Sequence, residues 1–552
     1  MSARLNCVLG IVGLCGLGFG LAQSPFLMSP AGLDFVHRHS PTTQKYLVET
    51  MGGGVALLDY NQDGLLDIFL VNGGRINDPV KLPVDFGREV PAYWNRLYRQ
   101  NADHSFTDVT AAAGLSSGPN SYGMGVAVGD FDNDGFPDLY VTGYGPNALY
   151  RNNGRGGFTD VTAAAGVAAG GWSASAGFFD YDRDGSLDLF VTRYLDWSID
   201  RNILCGTPFN AYCRPDKFAP VANVLYRNEG GGRFRDVSSL TGIAAVKGKA
   251  LGVAFNDYDG DGFPDIFVAN DGMEQYLFHN ERGQRFKEVA MEAGVAFSDD
   301  GRTYAGMGVV FADYDRDGRP DVLVTNLALE KYALYRNEGG GRFRYTSLTT
   351  GLAALTARSS GWGVALEDFD NDGWRDVLVA QSHVLDNVAK INSGLRYLEP
   401  PLLLRGTGGR FQPVPLTDQA MAGRGLAVGD LDNDGVLDAV ITVLGGRPVV
   451  MTGAPLIPAG APPNWLTVKL TGTSSNRDGL GATVRVGDQM SYVTTAGSYL
   501  SASDRRVHFG FGRGLGSKGE QEVTVEINWP SGKKQILEHV PVNRLLDVKE
   551  PQ

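Results

Sequence analysis

The chain has 552 residues, of which 43 % are hydrophobic and 20 % charged, so it can bury large cores and is neither disordered nor collagen-like. Glycine, at 75 residues, is about twice as frequent as usual, which indicates many tight turns. The formal net charge of −13 disfavours nucleic acid as a partner, because binding to a phosphate backbone depends on clusters of Lys and Arg.

The amino end, residues 1–22, has the features of a secretory signal. Arg4 precedes an apolar run from Cys7 to Ala22, and Gly20 and Ala22 are the small residues of a cleavage site. The run is about sixteen residues long, shorter than the roughly 20 that span a bilayer. We therefore expect a secreted, extracellular protein with no membrane span, with the periplasm or the cell surface as alternative destinations.

One nonapeptide recurs seven times after this segment. Each copy follows a small-residue apolar stretch such as GMGVAVG and precedes a second one such as DLYVT, so each is predicted to be the loop of a β-hairpin. Successive copies start about 50 to 77 residues apart, which is typical of propeller blades. The copies begin at Asp59, Asp130, Asp180, Asp257, Asp313, Asp368 and Asp430.

A second phrase, of the form LYRN followed by a Gly-rich turn, supplies two further strands after several of these loops. It begins at Asn95, Asn147, Asn223 and Tyr332. Four strands for each of seven loops predict an all-β fold, a closed seven-bladed β-propeller over residues 23–460, because closure hides the edge strands. The last loop is followed by too little sequence for a full blade, and we expect Phe35 to Met51 to complete it.

The loops carry the strongest chemical signal. Positions 1, 3, 5 and 9 hold oxygen side chains, all of them Asp except Asn61, position 6 is always Gly, and position 7 offers its backbone carbonyl. Hard oxygen ligands around a tight turn are typical of calcium, so we predict up to seven Ca²⁺ ions. The predicted metal ligands are Asp59, Asn61, Asp63, Leu65 and Asp67; Asp130, Asp132, Asp134, Phe136 and Asp138; Asp180, Asp182, Asp184, Ser186 and Asp188; Asp257, Asp259, Asp261, Phe263 and Asp265; Asp313, Asp315, Asp317, Arg319 and Asp321; Asp368, Asp370, Asp372, Trp374 and Asp376; and Asp430, Asp432, Asp434, Val436 and Asp438.

Two alternatives to calcium-binding loops account for the pattern less well. The loops can be plain Asx-turn hairpins that use Asp and Gly only to form turns. Carboxylates at 4 Å repel each other by about 1 kcal/mol per pair even in water, which favours a cation. Magnesium suits the loops less well, because it keeps several waters and seldom occupies all-protein cages. Seven divalent ions would offset the whole net charge of −13 and leave the protein near neutral, so we attribute the acidity to metal ligation.

The carboxyl end, Asn464 to Glu550, contains NWLTVKLTGTSSNRDGLGATVRV, GSYLSASDRRVHFGFG and VEINWPSG. With the loops and the LYRN phrases, it resembles the FG-GAP/VCBS-type calcium propellers that end in a UnbV/ASPIC domain, the cartilage acidic protein-like secreted family. The resemblance implies an integrin-α-like propeller, a small β domain over 461–552, calcium at the loop positions given above, and a role in adhesion. Asn61 departs from the family pattern, which puts the affinity of the first site in doubt.

The function expected from the sequence is that of an extracellular binding or adhesion module for a protein or a glycan. The chain contains no G-x-S-x-G, H-E-x-x-H or P-loop motif, so we expect no enzyme. The alternative is a calcium-dependent lectin or polysaccharide-active enzyme. For that alternative, five side chains that precede the loops would form a partner-binding patch at one mouth of the channel, although packing between blades also explains them: Tyr122, Trp172, Lys249, Trp362 and Arg424.

The sequence contains two further residue pairs with chemically reactive side chains. Cys205 and Cys213 remain after removal of the signal and lie in the phrase CGTPFNAYC, so a disulfide is predicted, with two free thiols as the alternative. His37 and His39 are two residues apart and would face the same side of a strand. They could be metal ligands or hydrogen-bonded structural residues, and no role is assigned to them.

Overall fold

The computed structural model describes residues 26–453, 463–512 and 521–552. The predicted signal at 1–22 and the predicted domain boundary at 460/461 lie outside these residues. The described part confirms the all-β prediction, because the chain is built of short strands, with four helices of four or five residues. None of the described helices has the length and apolar character that crossing a membrane requires.

Seven four-stranded antiparallel sheets, named sheet 1 to sheet 7, form around the seven loops. Strand β1 spans Phe26–Ser29. Sheets 1 to 3 contain β2 to β5 (Val55–Leu58, Asp67–Leu70, Arg96–Gln100, Phe106–Asp108), β6 to β9 (Tyr122–Gly129, Asp138–Tyr144, Ala148–Asn152, Phe158–Asp160), and β10, β11, β14 and β15 (Ser173–Phe179, Asp188–Arg193, Val224–Asn228, Phe234–Asp236), with the ribbon β12 and β13 (Leu195–Asp196, Ala219–Pro220) inserted in sheet 3.

Sheets 4 to 7 repeat the pattern. They contain β16 to β19 (Ala250–Asn256, Asp265–Asn270, Tyr276–Asn280, Phe286–Glu288), β20 to β23 (Val309–Ala312, Asp321–Val324, Ala333–Gly339, Arg342–Tyr345), β24 to β27 (Gly361–Glu367, Asp376–Gln381, Leu402–Gly406, Phe411–Val414), and β28 to β30 (Gly423–Gly429, Asp438–Val443, Val449–Gly453) with β1. The α-helices α1 to α4 (Thr162–Ala165, Ala290–Ala293, Leu352–Thr356, Val388–Ile391) lie outside the sheets.

The first strands of the sheets contact one another in a closed cycle: β2, β6, β10, β16, β20, β24, β28 and β2 again. Closure uses the amino end, because β1 pairs with β30 as the outermost strand of sheet 7, with Phe26 opposite Gly453. The expectation that Phe35 to Met51 completes this sheet is therefore wrong. That segment instead carries a buried 3₁₀ turn at Leu47–Thr50.

The carboxyl-terminal unit consists of two further sheets. One has the order β34-β31-β37 and the other β33-β32-β35-β36. Their strands are β31 to β37 (Asn464–Thr471, Thr483–Val486, Gln489–Tyr492, Val507–Gly512, Glu522–Asn528, Lys534–Pro541, Arg544–Lys549). This unit shares one hydrophobic core with sheets 2 and 3, where Phe131 and Phe178 belong to the same cluster as Leu466 and Trp529.

Residues 494–504 of the carboxyl-terminal unit fill the centre of the ring. Val126 N–H donates to Leu500 O at 3.0 Å, and Val309 and Ser498 exchange backbone hydrogen bonds at 3.0 and 2.7 Å. The first strand of every sheet meets this central segment, through Leu57, Val126, Ser175, Gly252, Val309, Val364 and Val428.

Close approach explains why the position five residues before each loop is small. A Cβ on Gly54 would lie 2.3 Å from Leu500 O, and a Cβ on Gly425 would lie 2.3 Å from Gly53 O. Only residues with little or no side chain fit where strands and the central segment converge.

The disulfide prediction is confirmed: Cys205 and Cys213 are bonded, with their Cα atoms 5.1 Å apart. The bond lies in the insertion between β12 and β13. The neighbouring Tyr212 is buried and donates a hydrogen bond to Glu49 Oε2 at 3.0 Å, which fixes this insertion to the segment around Leu47–Thr50.

Leu500→Ala tests the importance of the central segment. Leu500 is 1 % exposed, so the substitution should lower the free energy of unfolding by about 2–5 kcal/mol through lost burial and a residual cavity. The control is Leu240→Ala, because Leu240 is 73 % exposed and should change stability by less than about 0.5 kcal/mol. Equal urea midpoints for the two variants would contradict a stabilising central segment.

Candidate metal centres

Each acidic loop is ordered by hydrogen bonds to its own carboxylates. In the second loop, Asp130 accepts from the N–H groups of Asp134 at 3.0 Å and Gly135 at 2.7 Å. Asp138 accepts from Phe131 N–H at 3.1 Å. Gly135 has φ +100°, and the position-6 glycine has positive φ in every loop, a conformation that favours glycine. The turn therefore directs these carboxylates toward the backbone at the centre of their own loop.

The carboxylates converge as a cation site requires. In the second, third and fifth loops, ligand oxygens of positions 1, 3 and 9 lie within 4.8 Å of one another, and in the fourth loop those of positions 1, 3 and 5 do so. Four buried oxygens in these loops have no hydrogen-bond partner: Asp132 Oδ1, Asp182 Oδ1, Asp313 Oδ1 and Asp315 Oδ1. Buried polar atoms without partners are rare, so these oxygens fit a bound hard cation, for which oxygen is the preferred ligand.

Burial raises the pKa of several loop carboxyls. Loss of water raises the pKa of Asp138 to about 9 and that of Asp67 to about 8, with neighbouring Asp residues adding repulsion. The pKa of Asp438 is raised to about 8 for the same reasons. The charged form of these groups is unfavourable without a nearby positive charge, and a divalent cation would supply that charge.

Arginine side chains from the third strand of four sheets hold the position-3 carboxylate. Each Nε atom contacts one carboxylate oxygen, at 2.5 to 2.9 Å. The pairs are Arg151 with Asp132, Arg227 with Asp182, Arg336 with Asp315, and Arg405 with Asp370. In all four pairs the contacted atom is Oδ2, and in three of them the Oδ1 atom of the same carboxylate is left without a hydrogen-bond partner. In sheet 4 the equivalent position of the third strand holds His279, whose Nδ1 lies 3.4 Å from Asp259 Oδ2.

The asparagine of the LYRN phrase joins neighbouring sheets. The backbone N–H of Asn152 donates to Asp138 at 2.7 Å, and its side-chain Nδ2 donates to Tyr60 O of the preceding loop at 2.8 Å. Asn228, Asn280 and Asn337 make the same pair of contacts. The sequence shows this repeated Asn but not its partners, which belong to a different repeat.

Position 4 of the loops links each loop to the next. Asn133 Nδ2 donates to Gly185 O at 2.9 Å, and Asn433 Nδ2 donates to Gly64 O at 3.1 Å, which connects the seventh loop to the first. Gln62 and Asn371 bond the next loop in the same way, and the guanidinium groups of Arg183 and Arg316 lie against Gly262 and Gly373. Six of the seven junctions are therefore occupied by a position-4 side chain.

The carboxyl-terminal unit sits on these loops. Arg477 N–H donates to Asn133 Oδ1 at 2.8 Å, and Arg506 donates to Asn433 Oδ1 at 2.7 Å. His508 Nε2 lies 2.6 Å from Asn371 Oδ1. Through these contacts the loops and the carboxyl-terminal unit position each other.

In the second to fifth loops, the predicted side-chain ligands are therefore brought together in sets of three. The position-7 residue donates its N–H to the position-5 carboxylate, as Leu65 does to Asp63 at 3.0 Å, and ligation by its carbonyl stays a prediction. Asn61 is tied to Asp63 by a hydrogen bond of 2.7 Å. Loop 1 therefore has one fewer charge and an amide already engaged.

The five side chains proposed for the channel mouth are buried, none more than 7 % exposed. Arg424 lies 4.1 Å from the ring centre of Trp362, which packs against Tyr499 of the central segment at 5.0 Å. Lys249 donates to Pro215 O at 2.8 Å. These residues form no accessible patch, and the packing interpretation describes them. His37 and His39 are stacked with ring centres 6.5 Å apart.

Comparison with known proteins places this architecture in a family. The FG-GAP-like repeat model matches residues 59–141, 130–191, 213–268, 257–324 and 326–379, more than half of the chain, and the ASPIC and UnbV model matches residues 472–552. Cartilage acidic protein 1 of Mus musculus is 26 % identical over 333 residues, 58 % of this chain and 48 % of that protein. The Homo sapiens protein is 26 % identical over 312 residues, 54 % of this chain and 43 % of that protein.

The matches thus span just under half the length of these relatives. Among solved structures, the BBS1N chain in complex with ARL6DN aligns with a TM-score of 0.40 at 11 % identity, covering 78 % of this chain and 98 % of that chain.

Asn152→Ala tests the contact between neighbouring sheets. It removes two side-chain donors and leaves the buried Tyr60 carbonyl without its partner, so the free energy of unfolding should fall by about 1–3 kcal/mol. The control is Asn77→Ala, because Asn77 is exposed and should change little. Chemical denaturation of both variants measures the difference. Loss of the same free energy in both would contradict the structural role of Asn152.

Proposed function

Because this chain belongs to the FG-GAP-like repeat family and carries an ASPIC and UnbV domain, we propose that it is a secreted calcium-binding propeller that acts as an extracellular binding module. The observation that carries the proposal is the set of convergent loop carboxylates with buried oxygens that lack a partner. Calcium is the cation that best suits such all-oxygen loops. The disulfide between Cys205 and Cys213 supports an oxidising, extracytoplasmic compartment.

A binding role is preferred over catalysis for two reasons. The central segment 494–504 fills the channel, so no substrate can reach the five buried side chains that the enzymatic alternative invoked. The Mus musculus relative that matches 58 % of this chain is named cartilage acidic protein 1, and that name specifies no reaction. The partner, an extracellular protein or a glycan, contacts the outer surface in this proposal. Release of products from polysaccharides incubated with the protein would instead favour an enzyme.

Removal of calcium should lower the melting temperature strongly. With a Kd near 10⁻⁴ M, about 1 mM calcium stabilises each site by roughly 1.4 kcal/mol, and seven independent sites by about 10 kcal/mol. That is comparable to the whole stability of a typical protein. Elemental analysis of the dialysed protein should approach seven calcium ions per chain, with the Asn61 loop the first to empty. An unchanged melting curve in chelator, or one or two ions per chain, would contradict the proposal.

Asp313→Asn distinguishes a metal ligand from a turn former. Asp313 Oδ2 accepts from Gly318 N–H at 2.9 Å, a bond that an amide oxygen can keep, while Oδ1 has no partner. In chelator the variant should be as stable as the parent or more so, because it removes the cost of burying the charge and the repulsion with Asp317 and Asp315, which together outweigh the attraction to Arg375. In calcium it should be less stable, because a ligand charge is lost.

The matched control is Asp418→Asn, at an exposed position outside the loops, which should respond equally in both buffers. Thermal melting of the four combinations gives the result. A loss of stability for Asp313→Asn that is the same with and without calcium would show that Asp313 only forms the turn.

A further inference from the structure

One junction in the circle of loops is open. The fourth loop has Gly260 at position 4, so no position-4 side chain reaches Gly318 of the fifth loop, and nothing lies within 4 Å of the place where a Cβ of Gly260 would be. The guanidinium group of Arg485, from the carboxyl-terminal unit, lies beside Gly318 instead, with one of its nitrogens 3.0 Å from the place of a Gly318 Cβ. A cavity of about 470 Å³ occupies this junction, between the two loops and the carboxyl-terminal unit. The volume is in the range of small-ligand sites.

Cationic side chains without carboxylate partners line this cavity, which we name the open junction. They are Arg183 of the third loop, and Arg485 and Lys534 of the carboxyl-terminal unit. Within the described residues none of the three has a carboxylate within 4.0 Å, whereas Arg319 on the same wall is paired with Asp317. Arg183 Nε is fixed by Pro530 O at 2.6 Å. The chain as a whole has a net charge of −13, so three cationic side chains without carboxylate partners around one cavity indicate that the cavity favours an anionic ligand.

The walls of the open junction are polar, and glycine backbone forms much of them. Gly260, Gly318, Gly340 and Gly481 contribute backbone rather than side chains, which lets a ligand with many hydroxyls approach the peptide groups. Strand β33 borders the cavity, but Met490 O already accepts from Arg375 at 3.2 Å, so addition of a peptide strand there is disfavoured. Asp257, Asp259 and Asp261 form the remaining wall, and a calcium ion bound by that loop would neutralise them.

We propose that the open junction binds an acidic oligosaccharide, with the carboxylates of its uronate units on Arg183, Arg485 and Lys534. This assignment names a ligand class for the binding function proposed above and rests on calcium at the fourth loop to remove the repulsion from its acids. Arg is suited to the task because its planar donors match a carboxylate.

The test is calorimetric titration of the calcium-loaded protein with oligogalacturonate. The parent should bind, and Arg485→Ala and Lys534→Ala should each weaken binding at least tenfold. Arg233→Ala is the matched control, because Arg233 is exposed and distant in sequence from the open junction, and its affinity should equal that of the parent. Melting curves verify that each variant is folded.

Gly260→Asn is the sharpest variant. Gly260 has φ +76°, and Asn133, Asn371 and Asn433 adopt φ of 56° to 58° at the same loop position. The new side chain should donate to Gly318 O, as the other asparagines do in their loops, and close the cavity. Binding should be lost while the melting temperature is kept or raised. Retained binding in this variant would overturn the location of the site.

Other outcomes separate the two proposals. Calcium-loaded parent protein that binds no oligogalacturonate would overturn the ligand assignment and leave the calcium-binding function intact. Binding of a poly-glutamate peptide in its place would overturn the ligand class. A protein that holds no calcium by elemental analysis would overturn the proposed function. Oligogalacturonate binding that still depends on Arg485 in that case would overturn the requirement for calcium and keep the open junction as the site.

Discussion

Repulsion among carboxylates is the constraint on which the rest of this structure depends. The first loop carries three Asp and one Asn at the ligand positions, and each of the other six carries four Asp. In the second to fifth loops, oxygens from three of these side chains lie within 4.8 Å of one another. Burial weakens their hydration, and charges in a low-dielectric setting interact more strongly than in water. Backbone N–H groups within the loop donate to the carboxylates, and arginine side chains contact one oxygen of the position-3 carboxylate. The remaining oxygens without partners have the chemistry that a divalent cation requires.

The loops also carry the connections between repeats. Asn152 and its equivalents bind a carboxylate of their own loop and a carbonyl of the preceding one, and the position-4 side chains bind the next loop. The carboxyl-terminal unit rests on the same position-4 residues and sends residues 494–504 into the ring. Disturbance of one loop is therefore transmitted to its neighbours and to the central segment. In this fold the two regions matched by separate family models share a hydrophobic core.

Local pattern in the sequence predicted the features that depend on local chemistry. The all-β class, the hairpin position of the seven loops and the Cys205–Cys213 bond all follow from spacing and residue type. Features set by distant partners did not follow. Phe26–Ser29 closes sheet 7, a pairing that no short-range signal specifies. Trp362 packs against Tyr499 of the central segment, and Arg424 Nε donates to Thr50 O, contacts that also join residues far apart in sequence. The repeated Asn of the LYRN phrase is apparent in the sequence, but its side chain bonds a residue of the preceding loop, and that partner cannot be read from the sequence.

The most direct measurement of the central claim is a calcium anomalous difference map from crystals grown with calcium. The account predicts a peak inside each acidic loop, next to the oxygens of Asp132, Asp182, Asp313 and Asp315 that lack hydrogen-bond partners, and the weakest peak at the loop that contains Asn61. A map without peaks in the loops, in which the position-3 carboxylates contact only their arginines, would contradict it.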